Sequence, residues 1–567
     1  MPVINIDLQD LRELIGEDLP LETFTEKIPL LGASIEEIDG DQMQVEFFPD
    51  RPDLYSVEGV ARALRAFLGL KPGIMEYSTS YSGIEFVIDA SVNDVRPYAA
   101  GGVVRAVRLD DNAIKSIMEI QEKLHLTLGR RRRKVAIGIH DMRDIVPPFT
   151  YRAVAPESVS FVPLASDEPM NLKEILVRHP KGVEYAGILE GKERYPLITD
   201  SMDQVLSFPP IINGTLTAVT ENTSDIFLDV TGTDMKAVLD ALNIIAAALV
   251  ERGGSIETVK TLYKSFYGDG KERELLLPDM SPKRMAVSPD YIISLVGQDA
   301  IERQDIIPAL ESAGMSVEEK DGEMEVLIPA YRTDIIHPVD IVEEVAIGYG
   351  YHRIQGTELK AFTAGRDLPF TELSRKIRDI MTGYGYLEVT TLTLSSPEIQ
   401  FDMMRRSLDT PYSITMIKNP ITEEHTCLRT SLGPGLLEIL NKNRHRDLPQ
   451  RIFELGSVVR DHKRMEQLAG VAIHAKAGFT EMKSLVLSIC RDMGIECEVR
   501  PASDPAFIRG RCAAIVMEEG EVGIFGEYHP EVITNFELGY PVIGFEMNLR
   551  GIIEGKTGKG GKTGTKD

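Results

Sequence analysis

The chain contains Ile328-Pro-Ala-Tyr-Arg-Thr-Asp334 followed by Val339-Asp-Ile-Val-Glu-Glu-Val345, and a related segment occurs near its N-terminus. The earlier segment reads Phe48-Pro-Asp-Arg-Pro-Asp53 and then Val57-Glu-Gly-Val-Ala-Arg-Ala63. The proline, the arginine, the aspartate and the apolar helix face recur in the same order, which indicates a repeated supersecondary unit. Residues that both copies share therefore report the fold, and residues that differ point to function.

The second copy carries two carboxylates that the first copy lacks. Glu343 and Glu344 occupy the places that Ala61 and Arg62 hold in the first copy. The fold itself therefore does not demand these two acids, and they are candidates for a functional site.

A cluster of four carboxylates is predicted where the last helix of the second copy begins. Pro338 is typical of a first helical turn, and the three acids that follow it lie on one helix face at i, i+3 and i+4. Like charges this close need a cation, and Mg²⁺ prefers oxygen ligands. Alternatively, the acids complement the helix dipole while Glu344 pairs with Arg332 or Arg353. The four carboxylates are Asp334, Asp340, Glu343 and Glu344.

Length and composition indicate a multidomain protein. With 567 residues the chain exceeds a single hydrophobic core. We expect a soluble, cytoplasmic protein, because no apolar run is long enough to cross a membrane and no signal peptide is evident. The net charge of −26 repels phosphate, so any nucleic-acid contact must be local or supplied by a partner. The four cysteines lack C-x-x-C spacing and are expected to be reduced core thiols.

We expect a multidomain α+β fold with four folded parts and a tail. Two small, helix-rich, winged-helix-like modules would each hold one copy of the repeat, and they would flank a larger α+β domain. A mixed domain would follow, and the low-complexity C-terminal segment is expected to be disordered. The predicted boundaries are 1–78, 79–272, 273–356, 357–553 and 554–567.

The repeat resembles a known family. Arg332-Thr-Asp334, the acids that follow it, and Gly348-Tyr-Gly-Tyr351 resemble the metal-associated repeat of the phenylalanyl-tRNA synthetase beta-subunit family. Asp50-Arg-Pro-Asp53 is similar to that family's N-terminal module, and the resemblance spans nearly the whole chain in its archaeal and eukaryotic form. It implies an α₂β₂ heterotetramer in which the alpha subunit binds ATP and L-phenylalanine and charges tRNA(Phe). It also makes the four carboxylates Mg²⁺ ligands.

The resemblance implies that residues 357–553 form a degenerate class II synthetase domain built on an antiparallel sheet. Leu428-Arg-Thr-Ser-Leu432 and Phe453-Glu-Leu-Gly456 look like that scaffold. In the last apolar segment, 542–548, the position at which an arginine would contact ATP is empty or acidic. We therefore expect this domain to pack against the alpha subunit without binding ATP, with Arg429 and Glu454 as a structural ion pair.

The resemblance also places hydrolysis of mischarged Tyr-tRNA(Phe) in the α+β domain. A hydrophobic phenylalanine site rejects tyrosine poorly, so a second site is needed. Residues 207–214 and 229–234 are rich in proline, glycine and small polar residues, which suits rigid walls close to a ligand. An ordinary turn or cap role is the alternative for each candidate, and water is expected to attack the ester. The candidates are Pro209, Asn213, Thr217, Glu221 and Asp234.

The basic run Arg130-Arg-Arg-Arg-Lys134 stands out against the acidic background. Arg131, Arg132 and Arg133 are candidate tRNA contacts, although a solvated edge or an acidic partner also fits.

Two alternatives apply to the whole chain. A structural nucleic-acid-binding scaffold is disfavoured because neither repeat copy has a basic helix face. A free-standing tRNA-editing hydrolase would not need a large apolar surface on residues 360–550.

Overall fold

The computed structural model describes residues 2–297, 300–320, 323–356, 358, 363–518 and 520–549. The tail predicted at 554–567 lies outside these residues. The chain forms two compact units, Met1–Glu358 and Leu359–Asp567. Within the described ranges, no helix is both long and apolar enough to cross a membrane.

The first repeat copy contains a three-stranded antiparallel sheet with the strand order β1-β3-β2. Asp7 starts the first helix by accepting hydrogen bonds from the backbone N–H groups of Gln9 and Asp10. Gly16 ends that helix in the left-handed conformation, with φ 84°. The elements are β1 (Val3–Asp7), α1 (Leu8–Ile15), α2 (Leu21–Lys27), β2 (Ala33–Asp39), β3 (Gln42–Phe47) and α3 (Val57–Phe67).

The central domain is built on a mixed sheet with the order β12-β11-β10-β7-β4-β14-β5-β13-β6, and β15 pairs with β14. Helix α7, buried over most of its length, packs on β5 and β13. The elements are β4 (Thr79–Ile88), β5 (Tyr98–Arg105), α4 (Asp111–Leu126), β6 (Val135–Asp141), β7 (Phe149–Val154), β8 (Ser160–Phe161), β9 (Met170–Asn171), α5 (Leu172–Arg178), α6 (Pro180–Tyr185), β10 (Tyr195–Thr199), β11 (Val205–Phe208), β12 (Ile212–Asn213), β13 (Ile226–Gly232), α7 (Met235–Glu251), β14 (Ser255–Tyr263) and β15 (Arg273–Leu277).

The second repeat copy has the strand order β16-β18-β17, which corresponds strand for strand to the order in the first copy. Within the described residues each copy therefore combines three helices with a three-stranded sheet. The elements are β16 (Lys283–Val287), α8 (Pro289–Val296), α9 (Arg303–Ser312), β17 (Ser316–Lys320), β18 (Glu323–Ile328) and α10 (Pro338–Tyr349).

The second unit contains a seven-stranded sheet, β19-β22-β23-β27-β26-β25-β24, in which only the β19–β22 pair is parallel. One hydrophobic cluster lies with α11 and α13, and another lies with α12 and α14. The elements are α11 (Pro369–Gly383), β19 (Leu387–Glu388), β20 (Leu394–Ser395), β21 (Cys427–Leu428), α12 (Gly433–Lys442), β22 (Gln450–Arg460), β23 (Lys463–Ile473), α13 (Phe479–Met493), β24 (Glu498–Pro501), β25 (Phe507–Met517), β26 (Gly520–Tyr528), α14 (Pro530–Asn535) and β27 (Val542–Asn548).

Candidate functional site

The central domain contains a cavity of about 440 Å³, which we call the proline-walled cavity. Residues 136–139 of β6 and residues 207–213, which include two consecutive prolines, line it together with one face of α4. Its volume lies within the range of small-molecule sites, roughly 300–1,000 Å³. The cavity is therefore large enough for a small molecule of about the size of an amino acid.

A buried carboxylate lines this cavity. Asp229, on β13, is only 2% exposed. Its Oδ2 atom lies 2.6 Å from His140 Nε2 and 3.5 Å from Ser207 Oγ, whose hydroxyl donates to it. No group among the described residues donates a hydrogen bond to Oδ1. Asp229 is thus held by one oxygen and keeps acceptor capacity on the other.

Gly138 makes room for this carboxylate. In the register of β6 and β13, Asp229 lies opposite Gly138. A Cβ atom at position 138 would lie 1.9 Å from Asp229 Oδ2 and 2.6 Å from His140 Nε2. A side chain larger than hydrogen would therefore displace the carboxylate from its hydrogen bonds.

His140 connects Asp229 to a second cavity-lining residue. The imidazole is fully buried, and its Nδ1 lies 2.7 Å from Thr217 Oγ1. Because the carboxylate can only accept, the ring donates from Nε2 to Asp229, and the contact at Nδ1 joins the ring to the Thr217 hydroxyl. Thr217, His140 and Asp229 therefore form a connected chain of hydrogen bonds below the cavity.

A buried cation lies near this chain. The Arg96 guanidinium donates to the Thr231 hydroxyl at 3.0 Å, to the Thr231 carbonyl at 2.7 Å and to the Arg133 carbonyl at 3.2 Å. Burial lowers the pKa of Arg96 to about 10, against the opposing effects of Tyr151 and Asp229. Arg96 therefore stays charged at neutral pH and offsets part of the negative charge of Asp229.

His125 contributes a neutral ring to the cavity wall. Its Nε2 accepts a hydrogen bond from the backbone N–H of Ile137 at 2.8 Å. Burial lowers the pKa of His125 to about 4, although a hydrogen bond to Glu122 acts in the opposite direction. The imidazole is therefore uncharged near neutral pH.

The structure brings together three of the five predicted editing residues. Pro209, Asn213 and Thr217 all line the proline-walled cavity. Asp234 lies outside it, because its side chain caps α7 by accepting from Ala237 N at 2.9 Å. Glu221 also lies outside the cavity lining, in an exposed turn.

Sequence reasoning did not select three residues of this site: Ser207, Asp229 and His140. Ser207 and Asp229 fall within the two stretches that the composition singled out. A usable signal was the aspartate inside the apolar strand Ile226-Phe-Leu-Asp-Val230, because carboxylates are rarely buried without a specific partner.

Two of the four predicted metal-binding carboxylates are held by a buried arginine. Arg332, 1% exposed, lies 2.6 Å from Asp334 Oδ2 and 2.6 Å from Glu344 Oε1. The pairing of Glu344 with Arg332 is the alternative that the sequence left open. Each carboxylate therefore already has a positive partner.

The other two carboxylates differ in their surroundings. Asp340 Oδ2 accepts from two backbone N–H groups at the start of α10, each at 2.7 Å. Glu343 makes no ion pair within the described residues. Partial burial raises its pKa, and the negative charges of Glu344, Asp50, Asp340 and Asp334 raise it further. The described part of the chain contains no group of three or more His, Cys, Asp or Glu side chains arranged to hold a metal ion.

The basic run forms an unusual loop. Arg130, Arg131 and Arg132 have φ values of 48°, 54° and 62°, which L residues rarely adopt. Arg132 lines the proline-walled cavity, donates to the Ile211 carbonyl at 2.9 Å and lies 3.1 Å from Glu122 Oε2. Of the predicted tRNA contacts, Arg132 is thus engaged within the domain, whereas Arg131 and Arg133 are exposed.

In the second unit, the predicted ion pair is confirmed. Arg429 Nη1 lies 2.8 Å from Glu454 Oε1, and both side chains are buried. Glu546 accepts from the Ser431 hydroxyl at 2.6 Å and from Leu432 N at 3.1 Å. Glu546 therefore holds the start of α12, whose N-cap residue is Leu432.

Comparison with known proteins decides the family. Residues 354–549 match the model of the phenylalanyl tRNA synthetase beta chain CLM domain, 285–351 match the tRNA synthetase B5 domain, and 102–264 match the B3/4 domain. The "Phenylalanine--tRNA ligase beta subunit" of Methanothrix thermoacetophila is 47% identical over 97% of this chain and 100% of its own length. The chain belongs to the phenylalanine–tRNA ligase beta-subunit family.

Further relatives agree with this assignment. The phenylalanine–tRNA ligase beta subunit of Archaeoglobus fulgidus is 44% identical over 98% of this chain and 99% of its own length. The crystal structure of an N-terminal fragment of the phenylalanyl-tRNA synthetase beta subunit from Pyrococcus horikoshii is 38% identical. It superposes with a TM-score of 0.59 and covers 62% of this chain and 100% of the fragment. The resemblance inferred from the repeat is confirmed, and the chain is a ligase subunit.

Proposed function

We propose that this phenylalanine–tRNA ligase beta subunit hydrolyses Tyr-tRNA(Phe) in the proline-walled cavity. The observation that carries the proposal is the buried Asp229 carboxylate, which lines the cavity and retains a free acceptor oxygen. The same chain would bind a partner alpha subunit, which uses ATP to charge tRNA(Phe) with L-phenylalanine.

Selectivity for tyrosine follows from the cost of an unpaired buried acceptor. A site built to hydrogen-bond a substrate hydroxyl rejects the analogue that lacks it by roughly 10⁴–10⁵-fold. Asp229 Oδ1 would accept the tyrosine hydroxyl, whereas a phenylalanine ring would bury the carboxylate oxygen without a partner. The cavity therefore favours the mischarged product over the correct one.

The reaction itself is ester hydrolysis by water. Water oxygen bonds to the carbonyl carbon of the ester, the bond to the ribose oxygen breaks, and a proton from water ends on that oxygen. Thr217 and His140 hold Asp229 in place, and Asn213, Pro209 and Pro210 line the same cavity. The rigid wall and the fixed carboxylate supply orientation.

We extend the proposal to Mg²⁺ at Asp334, Asp340, Glu343 and Glu344. Two features support it: the donors are all carboxylate oxygens, and Asp340 and Glu343 make no ion pair within the described residues, whereas Arg332 holds the other two. A bound ion would neutralise this cluster and stabilise the second repeat copy. Glu343→Gln should weaken Mg²⁺ binding to the complex in isothermal calorimetry. Identical binding isotherms would remove Glu343 from the site.

The second unit exposes apolar side chains that a partner subunit could cover. Several large apolar side chains are exposed there, and Ile421 is 99% exposed. We propose that this surface meets the alpha subunit in an α₂β₂ heterotetramer, which would work in the cytoplasm where tRNA is charged. Gel filtration with and without the alpha subunit tests this. A beta subunit that stays monomeric and fully active in its presence would favour the free-standing hydrolase.

The experiment for the proposed hydrolysis compares two preformed substrates. The complex with the alpha subunit should deacylate Tyr-tRNA(Phe) and spare Phe-tRNA(Phe). Ser207→Ala removes a donor to Asp229 and should slow the first reaction while leaving phenylalanine charging intact. If wild-type complex deacylates both substrates at the same rate, the cavity does not recognise the tyrosine hydroxyl.

A further inference from the structure

A second opening lies beside the proline-walled cavity, and we call it the arginine cleft. It encloses about 1,040 Å³. Its charged lining is mainly basic. The charged residues that line it are Arg130, Arg131, Arg133, Lys134, Glu184 and Asp234.

The cations of the arginine cleft are largely uncompensated. Arg130, Arg131 and Arg133 are exposed and make no ion pair within the described residues. Lys134 lies 3.5 Å from Asp234, which is a loose pair. In a chain with a net charge of −26, three unpaired arginines side by side are a local reversal of charge.

The loop that presents these arginines is held in place. Its backbone lies in the left-handed region at Arg130 and Arg131, and Arg96 donates to the Arg133 carbonyl at 3.2 Å. Arg132 ties the same loop to residues 209–213 of the proline-walled cavity by donating to the Ile211 carbonyl. The cations are thus carried on a backbone that is ordered before any ligand binds, which lowers the entropic cost of binding.

The two openings share a wall. Arg132 lines the proline-walled cavity, and Tyr185 lines the arginine cleft. The Arg132 guanidinium lies 4.5 Å from the centre of the Tyr185 ring, so the two side chains stack where the openings meet. A chain that runs through the cleft would reach the cavity just beyond this pair.

We propose that the arginine cleft binds the sugar–phosphate backbone of the single-stranded 3′ end of RNA, so that the terminal aminoacyl ester enters the proline-walled cavity. This inference rests on the proposed hydrolysis. Phosphate is favoured over an acidic peptide because the guanidinium fork matches phosphate oxygens in pairs and because the ester next door is attached to RNA. Backbone contacts carry no base specificity, so the cleft would position the strand without reading its sequence.

The test uses the complex with the alpha subunit and the triple variant R130Q/R131Q/R133Q. Glutamine removes the positive charge and, like arginine, has an unbranched side chain. Two substrates are compared: Tyr-tRNA(Phe), and the tyrosyl ester of adenosine, which has no phosphate. For the triple variant, kcat/KM on Tyr-tRNA(Phe) should fall at least about 10-fold. The slope of log(kcat/KM) against log[salt] should become less negative by about 2. Hydrolysis of the adenosine ester should not change. Arg194→Gln, an exposed arginine of the same domain outside both openings, is the matched control.

A binding measurement separates this inference from the proposed hydrolysis. The anisotropy of a fluorescein-labelled single-stranded RNA should report weaker binding to the triple variant than to the wild type and Arg194→Gln. If the wild type hydrolyses neither substrate but RNA binding depends on the arginines, the hydrolysis proposal fails and the cleft assignment stands. Unchanged kcat/KM and salt slope, or lost binding of polyglutamate with unchanged RNA binding, would overturn the cleft assignment.

Discussion

Substituting alanine for Gly138 should slow hydrolysis, because the added Cβ atom would displace the carboxylate that we propose to bind the tyrosine hydroxyl. The added Cβ atom would lie 1.9 Å from Asp229 Oδ2, far inside van der Waals contact, and 2.6 Å from His140 Nε2. The carboxylate must therefore move away from position 138 by more than an ångström or so. In doing so it loses the 2.6 Å hydrogen bond to His140.

The size of the effect follows from that lost bond. A hydrogen bond to a charged group contributes about 1.5–3 kcal/mol. If Asp229 must keep its position to bind the tyrosine hydroxyl, the same free energy is lost from the transition state, and deacylation slows roughly 10- to 150-fold. Overpacking also lowers the free energy of unfolding by about 1–3 kcal/mol.

The assay is deacylation of preformed Tyr-tRNA(Phe) by the complex with the alpha subunit, with phenylalanine charging as an internal check of assembly. Gly383→Ala is the control, because a Cβ there meets nothing within 4 Å. His140→Asn removes the Nε2 donor without adding volume. It tests the same hydrogen bond if Gly138→Ala fails to fold. A folded Gly138→Ala complex that deacylates Tyr-tRNA(Phe) at the wild-type rate would refute this reasoning.

Two further predictions concern stability. The pKa of His125 is about 4 in the folded chain against an ordinary value of 6.5. The unfolded state therefore takes up a proton first as pH falls, and up to about 3 kcal/mol of stability is lost between pH 6.5 and 4. Urea unfolding at pH 7 and pH 4.5 should show a smaller loss for His125→Gln, and equal losses would contradict the assignment. Arg252→Met would leave buried Asp10 and Glu58, each 2.6 Å from the guanidinium, without their partner. Its free energy of unfolding should fall by about 3–5 kcal/mol, and an unchanged denaturation midpoint would contradict this.

The sequence was informative where the signal is local. The repeat and the proline wall at 209–213 could be recognised because the deciding residues lie close together in the chain. The Arg429–Glu454 pair was inferred from a family scaffold, and the structure places both side chains in contact.

The remaining features depend on contacts between distant segments. Asp229 and Asp234 sit in one polar stretch of the sequence, and only the register of β6 and β13 shows that Asp229 lies opposite Gly138. Asp234 instead follows the end of β13 and caps α7, a role that any helix start offers to an aspartate. The choice between these two acids needed the fold.

The most direct measurement is therefore a matched comparison of Asp229→Asn and Asp234→Asn in single-turnover deacylation of Tyr-tRNA(Phe). At position 229 the amide oxygen would accept from His140, which turns the amide N–H groups toward the cavity where the tyrosine hydroxyl needs an acceptor. At position 234 asparagine still caps α7. We expect Asp229→Asn to slow deacylation at least about 10-fold. Asp234→Asn should not slow it, because asparagine still caps α7 and the change removes a negative charge from the arginine cleft. The reverse order, or equal rates for both variants and the wild type, would contradict a site built around Asp229.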